Sequence, residues 1–236
     1  MRQLLLVRHG ESRWNAEGRI QGQSCAGLGE RGQEQARALA AAYGQPLRAR
    51  AAEVPGSVRL YTSDLQRAVE TAAPLADAAG VAAVPDPRLR ERAFGAWEGR
   101  SHTELAVEDP DRWVRWTRGE DLMHEIGAET ARELAVRVAP ALWELLDTTP
   151  QGGVTIAVSH GGSIWHGLHD LLSLPPRSLG PVGNASVAEL LLLAAPDDGA
   201  AHCALASFND QSHLPGELRT GGFTAGRTTD AVPQMR

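Results

Sequence analysis

The chain has 236 residues, of which 42% are hydrophobic and 22% charged, and a formal net charge of −6. This length and composition fit one substantial α/β core better than two small domains or a disordered chain. The acidic balance excludes nucleic acid and anionic membrane as partners of the surface at large, so a site for an anion has to be a local cluster of basic groups.

In chain order, Leu4-Leu5-Leu6-Val7 is a continuous apolar run that stops at Arg8-His9-Gly10. It suits a strand buried on both faces of a parallel sheet, with the polar residues at the carboxyl edge where open α/β sheets place their ligands. Helical spacing over residues 28–43, through Leu28, Ala36, Leu39, Ala40 and Tyr43, is expected to stop at Gly44, and residues 45–57, with two prolines, read as a surface loop. Val58-Arg59-Leu60-Tyr61 predicts a second strand, and Thr62-Ser63-Asp64 offers helix caps. Leu65, Ala68, Val69, Ala72, Ala76 and Ala79 then form the stripe of a helix that Pro74 is expected to kink or break. A short strand over 81–84 precedes the Pro85-Asp86-Pro87 turn.

Residues 88–128, rich in tryptophan and charge, predict short helices and loops over the sheet's carboxyl edge. Leu134, Ala135, Val138, Leu142, Leu145 and Leu146 mark a helix over 130–146. Gly152-Gly153 turns into a strand over 154–158 that ends on Ser159-His160-Gly161-Gly162, and a helix follows through Leu172. Residues 187–193 and 203–207 read as a final strand pair around a turn at 196–199. Residues 1–214 form the folded domain in this reading; residues 215–236, with Gly, Thr and Pro and little apolar content, are expected to be a flexible tail. The alternation of strands and helices predicts an α/β fold, a three-layer α/β/α sandwich with a mostly parallel central sheet and a helical and loop cover over the site. Cys25 and Cys203 form no metal pattern, the apolar run behind Met1 is too short for a secretory segment, and the run at 190–195 is too short to cross a bilayer. Together these read as a reduced cytoplasmic setting, with no membrane partner.

Two histidines end two separate predicted strands, His9 and His160, and each is followed by glycine. If both strands are central and parallel, both imidazoles reach one sheet edge, together with Arg8 and with Arg67, one helical turn beyond the third strand. Two guanidiniums and two imidazoles suit a phosphoryl group: guanidinium is planar, permanently charged and bidentate toward phosphate, and neutral imidazole is a nitrogen nucleophile. Glycines such as Gly161 let backbone N–H groups approach the anion, and a helix starting there adds its dipole. Singly, each residue has a plainer reading: a strand-end histidine satisfies a structural role, Arg67 is a solvated helix residue, and Glu91, between Arg90 and Arg92, is a surface ion pair. Their order at successive strand ends sets them apart.

Those residues also carry a resemblance. Leu6-Val7-Arg8-His9-Gly10-Glu11-Ser12, with Trp14 and Asn15 behind it, resembles the signature of the histidine phosphatase superfamily, which includes the cofactor-dependent phosphoglycerate mutases. Thr62-Ser63-Asp64-Leu65-Gln66-Arg67-Ala68, Leu89-Arg90-Glu91 with Trp97-Glu98-Gly99, and Val158-Ser159-His160-Gly161-Gly162 resemble its further motifs. Gly183-Asn184-Ala185 and Asn209-Asp210 with His213-Leu214 resemble its last segments. The resemblance implies that His9 is the nucleophile, that Arg8, Arg67 and His160 clamp the phosphate, that Glu91 donates a proton to the leaving oxygen, and that Asn15 and Gln21 add polar contacts. The cations should keep His9 unprotonated. No metal and no other cofactor is implied, because the arginines supply the positive charge.

The sequence departs from the family at Ser24-Cys25-Ala26-Gly27-Leu28 and at Gly127-Ala128-Glu129-Thr130, neither of which removes a clamp residue. The Trp-Glu-Gly form after Glu91 and the short stretch from there to His160 resemble the phosphatase branch. The implied activity is that of a histidine acid-type phosphatase acting on a small phosphorylated metabolite. A cofactor-dependent phosphoglycerate mutase and a non-catalytic phospho-ligand-binding module are the alternatives. A domain of this kind can form a homodimer through a sheet edge. His166 and His169 share a helix face near His160, but no carboxylate or cysteine completes a metal set. His124 reads as a loop histidine, and Trp113 and Trp116 as packing between cover and sheet.

Overall fold

The computed structural model describes residues 1–24, 27–193, 202–224 and 227–228. Its centre is a six-stranded mixed sheet in the order β3-β2-β4-β1-β5-β6. β1 (Arg2–Arg8), β2 (Val58–Thr62), β3 (Ala83–Pro85) and β4 (Val154–Ser159) run parallel, and β5 (Val187–Leu193) and β6 (His202–Asp210) add an antiparallel edge. The apolar runs of β1 and β4 lie in the middle, and every residue of β4 is buried. Helices cover both faces, as expected of the α/β/α sandwich.

On one face α2 (Glu30–Glu53) and α3 (Gln66–Ala79) bury Leu39, Leu47, Ala72 and Leu75 against Leu5, Leu60 and Ile156. On the other, α6 (Ala131–Asp147) and α7 (Gly161–Leu171) bury Leu134, Val138, Leu142 and Leu168 against Leu4, Leu6 and Leu190. A third apolar cluster, with Ile20, Phe94, Trp97, Leu105, Trp116 and Met123, belongs to the cover, which contains α4 (His102–Glu108) and α5 (Pro110–Thr117). Trp113 and Trp116 pack there with Trp97.

Several expectations need correction. α2 does not stop at Gly44; it continues through Pro46 to Glu53 and so includes most of the expected loop. Gly44 is a packing site instead, since a Cβ there would sit 2.4 Å from the Cβ of Ala78 on α3. Pro74 interrupts nothing: α3 runs unbroken around it. The cap of α3 is Leu65 without a side-chain hydrogen bond, because Ser63 and Asp64 are engaged elsewhere. Residues beyond 214 also take up defined positions, with a 3-10 turn at Gly216–Leu218 and with residues 219–222 against the site. The hydrogen bonds that hold them come from side chains of α2 and of the 183–184 turn, which no apolar pattern reveals. The predicted turn at 196–199, Cys25 and the end of the chain lie outside the described residues. None of the described helices is long and apolar enough to cross a membrane.

Candidate active site

The register of β1 against β4 pairs Arg8 with Ser159, so the next residue on each strand is a histidine leaving the same sheet edge. The His9 N–H donates to the Ser159 carbonyl at 2.9 Å, and the two imidazole centroids are 5.0 Å apart. β2 flanks β4 on the other side and delivers Ser63, whose hydroxyl meets His160 Nε2 at 2.8 Å. α3 follows β2 and turns Arg67 inward, 1% exposed, with Nε donating to His9 Nε2 at 3.2 Å.

These contacts fix the tautomer of His9. Its Nδ1 lies 2.6 Å from the Gly10 carbonyl, which can only accept, so Nδ1 carries the hydrogen. Nε2 is then the lone-pair nitrogen, consistent with the donor it receives from Arg67. Burial, then the Arg67 and Arg8 charges, hold His9 well below the ordinary 6.5 of a histidine. Burial and Arg67 do the same to His160. Burial brings Arg8 down to about 10, which leaves it charged at neutral pH. Arg8 donates one terminal nitrogen to the Val182 carbonyl, and its Nε is buried with no partner among the described residues.

Glu91 arrives on a segment whose carbonyls are all held. Ser159 Oγ donates to the Leu89 carbonyl at 2.8 Å and Ser163 Oγ to that of Arg90 at 2.6 Å. Arg137 reaches the carbonyls of Arg88 and Arg90 and pairs with Glu129 at 2.8 Å, and Arg90 itself forks onto Asp64. A Glu91 carboxyl oxygen accepts the N–H of Gly162 at 3.1 Å, so the group facing the first turn of α7 is Glu91 itself. A Cβ on Gly162 would come 2.4 Å from that carboxylate.

Ser12 caps α1 (Arg13–Ala16) and donates to Gln21 Oε1 at 2.7 Å, which sets Gln21 and Asn15 side by side. Asn184 Nδ2 donates to the His9 carbonyl at 3.2 Å, and its backbone N–H donates to Thr220 Oγ1 at 2.8 Å, which brings the segment after β6 alongside. Asn209 Oδ1 holds the Gly183 N–H at 2.7 Å. Arg8, His9, Asn15, Gln21, Arg67 and Glu91 line one cavity of about 720 Å³. Its outer walls are Ile20, Phe94, His102 and Trp116 of the cover on one side and Arg31 with residues 219–222 on the other. His160 is fully buried and Gly161 buried, and neither is part of that cavity's wall. Gly10, expected to open its N–H to an anion, instead donates it to Thr71 Oγ1 at 2.9 Å. Arg137, Asn184 and the 219–222 segment were not foreseen as parts of the site; only the spacing of Gly183-Asn184-Ala185 pointed toward one of them. Among the described residues, no group of three or more His, Cys, Asp or Glu side chains is placed to hold a metal ion.

A neutral nitrogen nucleophile, two guanidiniums and a carboxyl group on one cavity are the parts that phosphoryl transfer uses. The family model of the histidine phosphatase superfamily (branch 1) matches residues 4–201. The chain belongs to the histidine phosphatase superfamily. It is 39% identical over 176 residues to a probable phosphoglycerate mutase of Enterobacter, spanning 74% of this chain and 77% of that one. It is 33% identical over 201 residues to the glucosyl-3-phosphoglycerate phosphatase of Mycobacterium tuberculosis, spanning 80% and 85%. The structure of a mycobacterial glucosyl-3-phosphoglycerate phosphatase with VO3 superposes with a TM-score of 0.73 at 30% identity, covering 89% of this chain and 99% of that one. Phosphoserine phosphatase of Entamoeba histolytica, in complex with 3-phosphoglyceric acid, gives 0.70 at 27% identity, covering 91% and 100%. The family and these phosphatase relatives support a phosphatase enzyme.

Proposed function

We propose that the protein hydrolyses the phosphomonoester of a small phosphorylated metabolite, without a metal, through a phosphohistidine on His9. The single observation that carries this reading is the state of His9, a residue of the cavity wall: its Nδ1 hydrogen is tied to the Gly10 carbonyl, which leaves Nε2 as the lone-pair nitrogen, held toward Arg67 by the hydrogen bond it accepts from Nε. In the first step Nε2 bonds to phosphorus, the P–O bond to the alcohol breaks, and Glu91 gives its proton to the leaving oxygen. In the second, water attacks phosphorus, Glu91 takes a proton from that water, and the P–N bond breaks to release orthophosphate and neutral His9. Arg8 and Arg67 stabilise the charge on the phosphoryl oxygens throughout, and Nε of Arg8, without a partner among the described residues, is a further donor for them. Asn15 and Gln21 orient the bound group.

Transfer to water rather than back to the substrate is favoured by the cover. Its cavity-facing residues are Phe94, His102 and Trp116, whereas its arginines are spent on carboxylates: Arg92 on Asp121, Arg100 on Glu108, Arg112 and Arg115 on Glu125. Of the cover's basic side chains only His102 lines the cavity, whereas Arg118 and His124 do not; beyond Arg8 and Arg67, the arginines on the wall are Arg19, Arg31 and Arg219, which come from outside the cover. The mutase reading keeps one support, the Enterobacter relative. The deciding experiment incubates the protein with 3-phosphoglycerate, with and without 2,3-bisphosphoglycerate, and with p-nitrophenyl phosphate in EDTA. Phosphate release that EDTA leaves intact and vanadate blocks is expected. Efficient isomerisation without phosphate release would overturn the phosphatase reading, and phosphate binding without any turnover would leave a binding module.

A further inference from the structure

Arg67 meets His9 through Nε, and both of its terminal nitrogens also reach main chain: Nη2 donates to the Gly22 carbonyl at 2.8 Å and Nη1 to the Ser24 carbonyl at 3.1 Å. The plane of the guanidinium is therefore set by the loop at 22–24. That loop contains no regular element, and Gly22 stands in the left-handed region with φ +52°. What shapes it is a carboxylate from the cover. Glu98 Oε1 accepts the Gln23 N–H at 3.0 Å, and Oε2 accepts the Ser24 hydroxyl. The same Oε1 accepts the Phe94 N–H at 2.9 Å, which anchors Glu98 to its own 3-10 turn at Gly95–Trp97, beside the buried Trp97. The packing is close: a Cβ on Gly22 would fall 2.1 Å from Glu98 Oε1. The loop touches the acid as well, through Gln23 Nε2 on the Glu91 carbonyl at 3.2 Å.

We infer that Glu98 is a positioning residue for catalysis: it acts on the phosphoryl group through the 22–24 loop and Arg67, without touching substrate. Three donors converge on one carboxylate, which fixes two carbonyls, which in turn fix both arms of the guanidinium whose Nε faces the attacking nitrogen. A charge-assisted acceptor is suited to this, because an ionised carboxylate binds backbone and hydroxyl donors more strongly than a neutral group. Arg67 is useful to the transition state only if its orientation is settled in advance. The inference rests on the proposed phosphatase reading, in which Arg67 stabilises the transferring group.

A purely structural role, pinning the cover to the sheet edge, predicts a different outcome, and a double-mutant cycle separates the two. Glu98→Ala is expected to lower kcat/KM on p-nitrophenyl phosphate by about 10²-fold in the wild-type background, and by less than about threefold when Arg67→Ala is already present. Glu98→Gln, which keeps an acceptor for both backbone N–H groups, is expected to recover activity to within about tenfold of wild type. Equal fold losses with and without Arg67 would overturn the inference. If Glu98→Ala does not fold by circular dichroism, Ser24→Ala takes its place in the same cycle, with an expected loss of about tenfold that vanishes without Arg67. The cycle is also read on calorimetric affinity for orthophosphate, which needs no turnover. Absence of phosphate release by the wild type would thus sink the phosphatase reading while the orthophosphate cycle still decides the role of Glu98.

Discussion

The strand-end face that carries His9 and the cover over residues 92–130 hold their polar groups in opposite ways. At the strand ends, Arg67, Ser63, Thr71 and His160 are at most 1% exposed, and their partners are main-chain atoms and side chains of neighbouring strands and helices. In the cover, arginines and carboxylates pair across the surface, as Arg112 and Arg115 do with Glu125, and a separate aromatic cluster supplies the packing. Exposed ion pairs contribute little to stability, whereas a buried polar group that loses its partner is costly. The chemistry of the phosphate end is thus tied to the sheet's own stability. The cover shapes its side of the cavity, through Phe94 and Trp116, from its own small core.

The largest break in that comparison comes from His9, the proposed nucleophile. His9→Ala is expected to lower phosphate release by at least about 10³-fold and to abolish the acid-labile, base-stable phosphoenzyme. A label that persists in the variant would move the nucleophile elsewhere. Glu91→Gln is expected to cost about 10²- to 10⁴-fold on alkyl phosphates and less than about tenfold on p-nitrophenyl phosphate, whose leaving group needs little protonation. Equal losses on both would take Glu91 out of the acid role. On the cover side, Trp116→Ala should destabilise the protein by about 3 kcal/mol in chemical denaturation, as loss of a buried aromatic does, and raise KM for bulky leaving groups more than it weakens orthophosphate inhibition. An equal change in both would show that the two regions are not separable.

The smallest effect sharpens the electrostatic half of the comparison. His9 and His160 stay neutral in the folded state below the ordinary value of 6.5, so the unfolded chain takes up protons that the folded one refuses as pH falls through that value. Stability is therefore complete above about pH 6.5 and declines on acidification below it. Thermal unfolding between pH 7 and pH 5 should show this fall, and His160→Gln should flatten it. The acid limb of kcat/KM for the wild type should likewise lie below 6.5, and Arg67→Ala should move it upward by removing a charge that opposes protonation of His9. A limb that stays put would exclude Arg67 as a cause.

The parts of the site that sequence revealed are those where the physical signal is local. An apolar run that ends abruptly on a basic or imidazole group marks a buried strand and its exit, and that pattern located Arg8, His9 and His160. Helical spacing after β2 located Arg67. Signals failed where the partner is distant in the chain. Gly44 looks like a helix stop because the close approach of Ala78 is invisible in one dimension. Ser63 and Asp64 look like caps because nothing in the sequence says that His160 and Arg90 claim them. The segment after residue 214 looks like a tail because its apolar content is low, yet what holds it is polar: Arg31 donates to the Glu217 and Arg219 carbonyls at 2.8 and 2.9 Å, and Gln35 to that of Leu218 at 2.6 Å.

That last segment ties the order of synthesis to the completion of the pocket. Thr220 leaves the ribosome some two hundred residues after His9, yet Asn184 joins the carbonyl of one to the hydroxyl of the other. A nascent chain that has delivered β5 carries Arg8, His9, Arg67 and Glu91 with the later partners Gly162, Val182 and Asn184, but the part of the cavity wall formed by residues 219–222 is still missing. Cleavage by a protease after Leu214 would sever the same part of the wall from a finished molecule, leaving the hydrogen bonds from Arg31 and Gln35 and those of Thr220 with Asn184 to hold it.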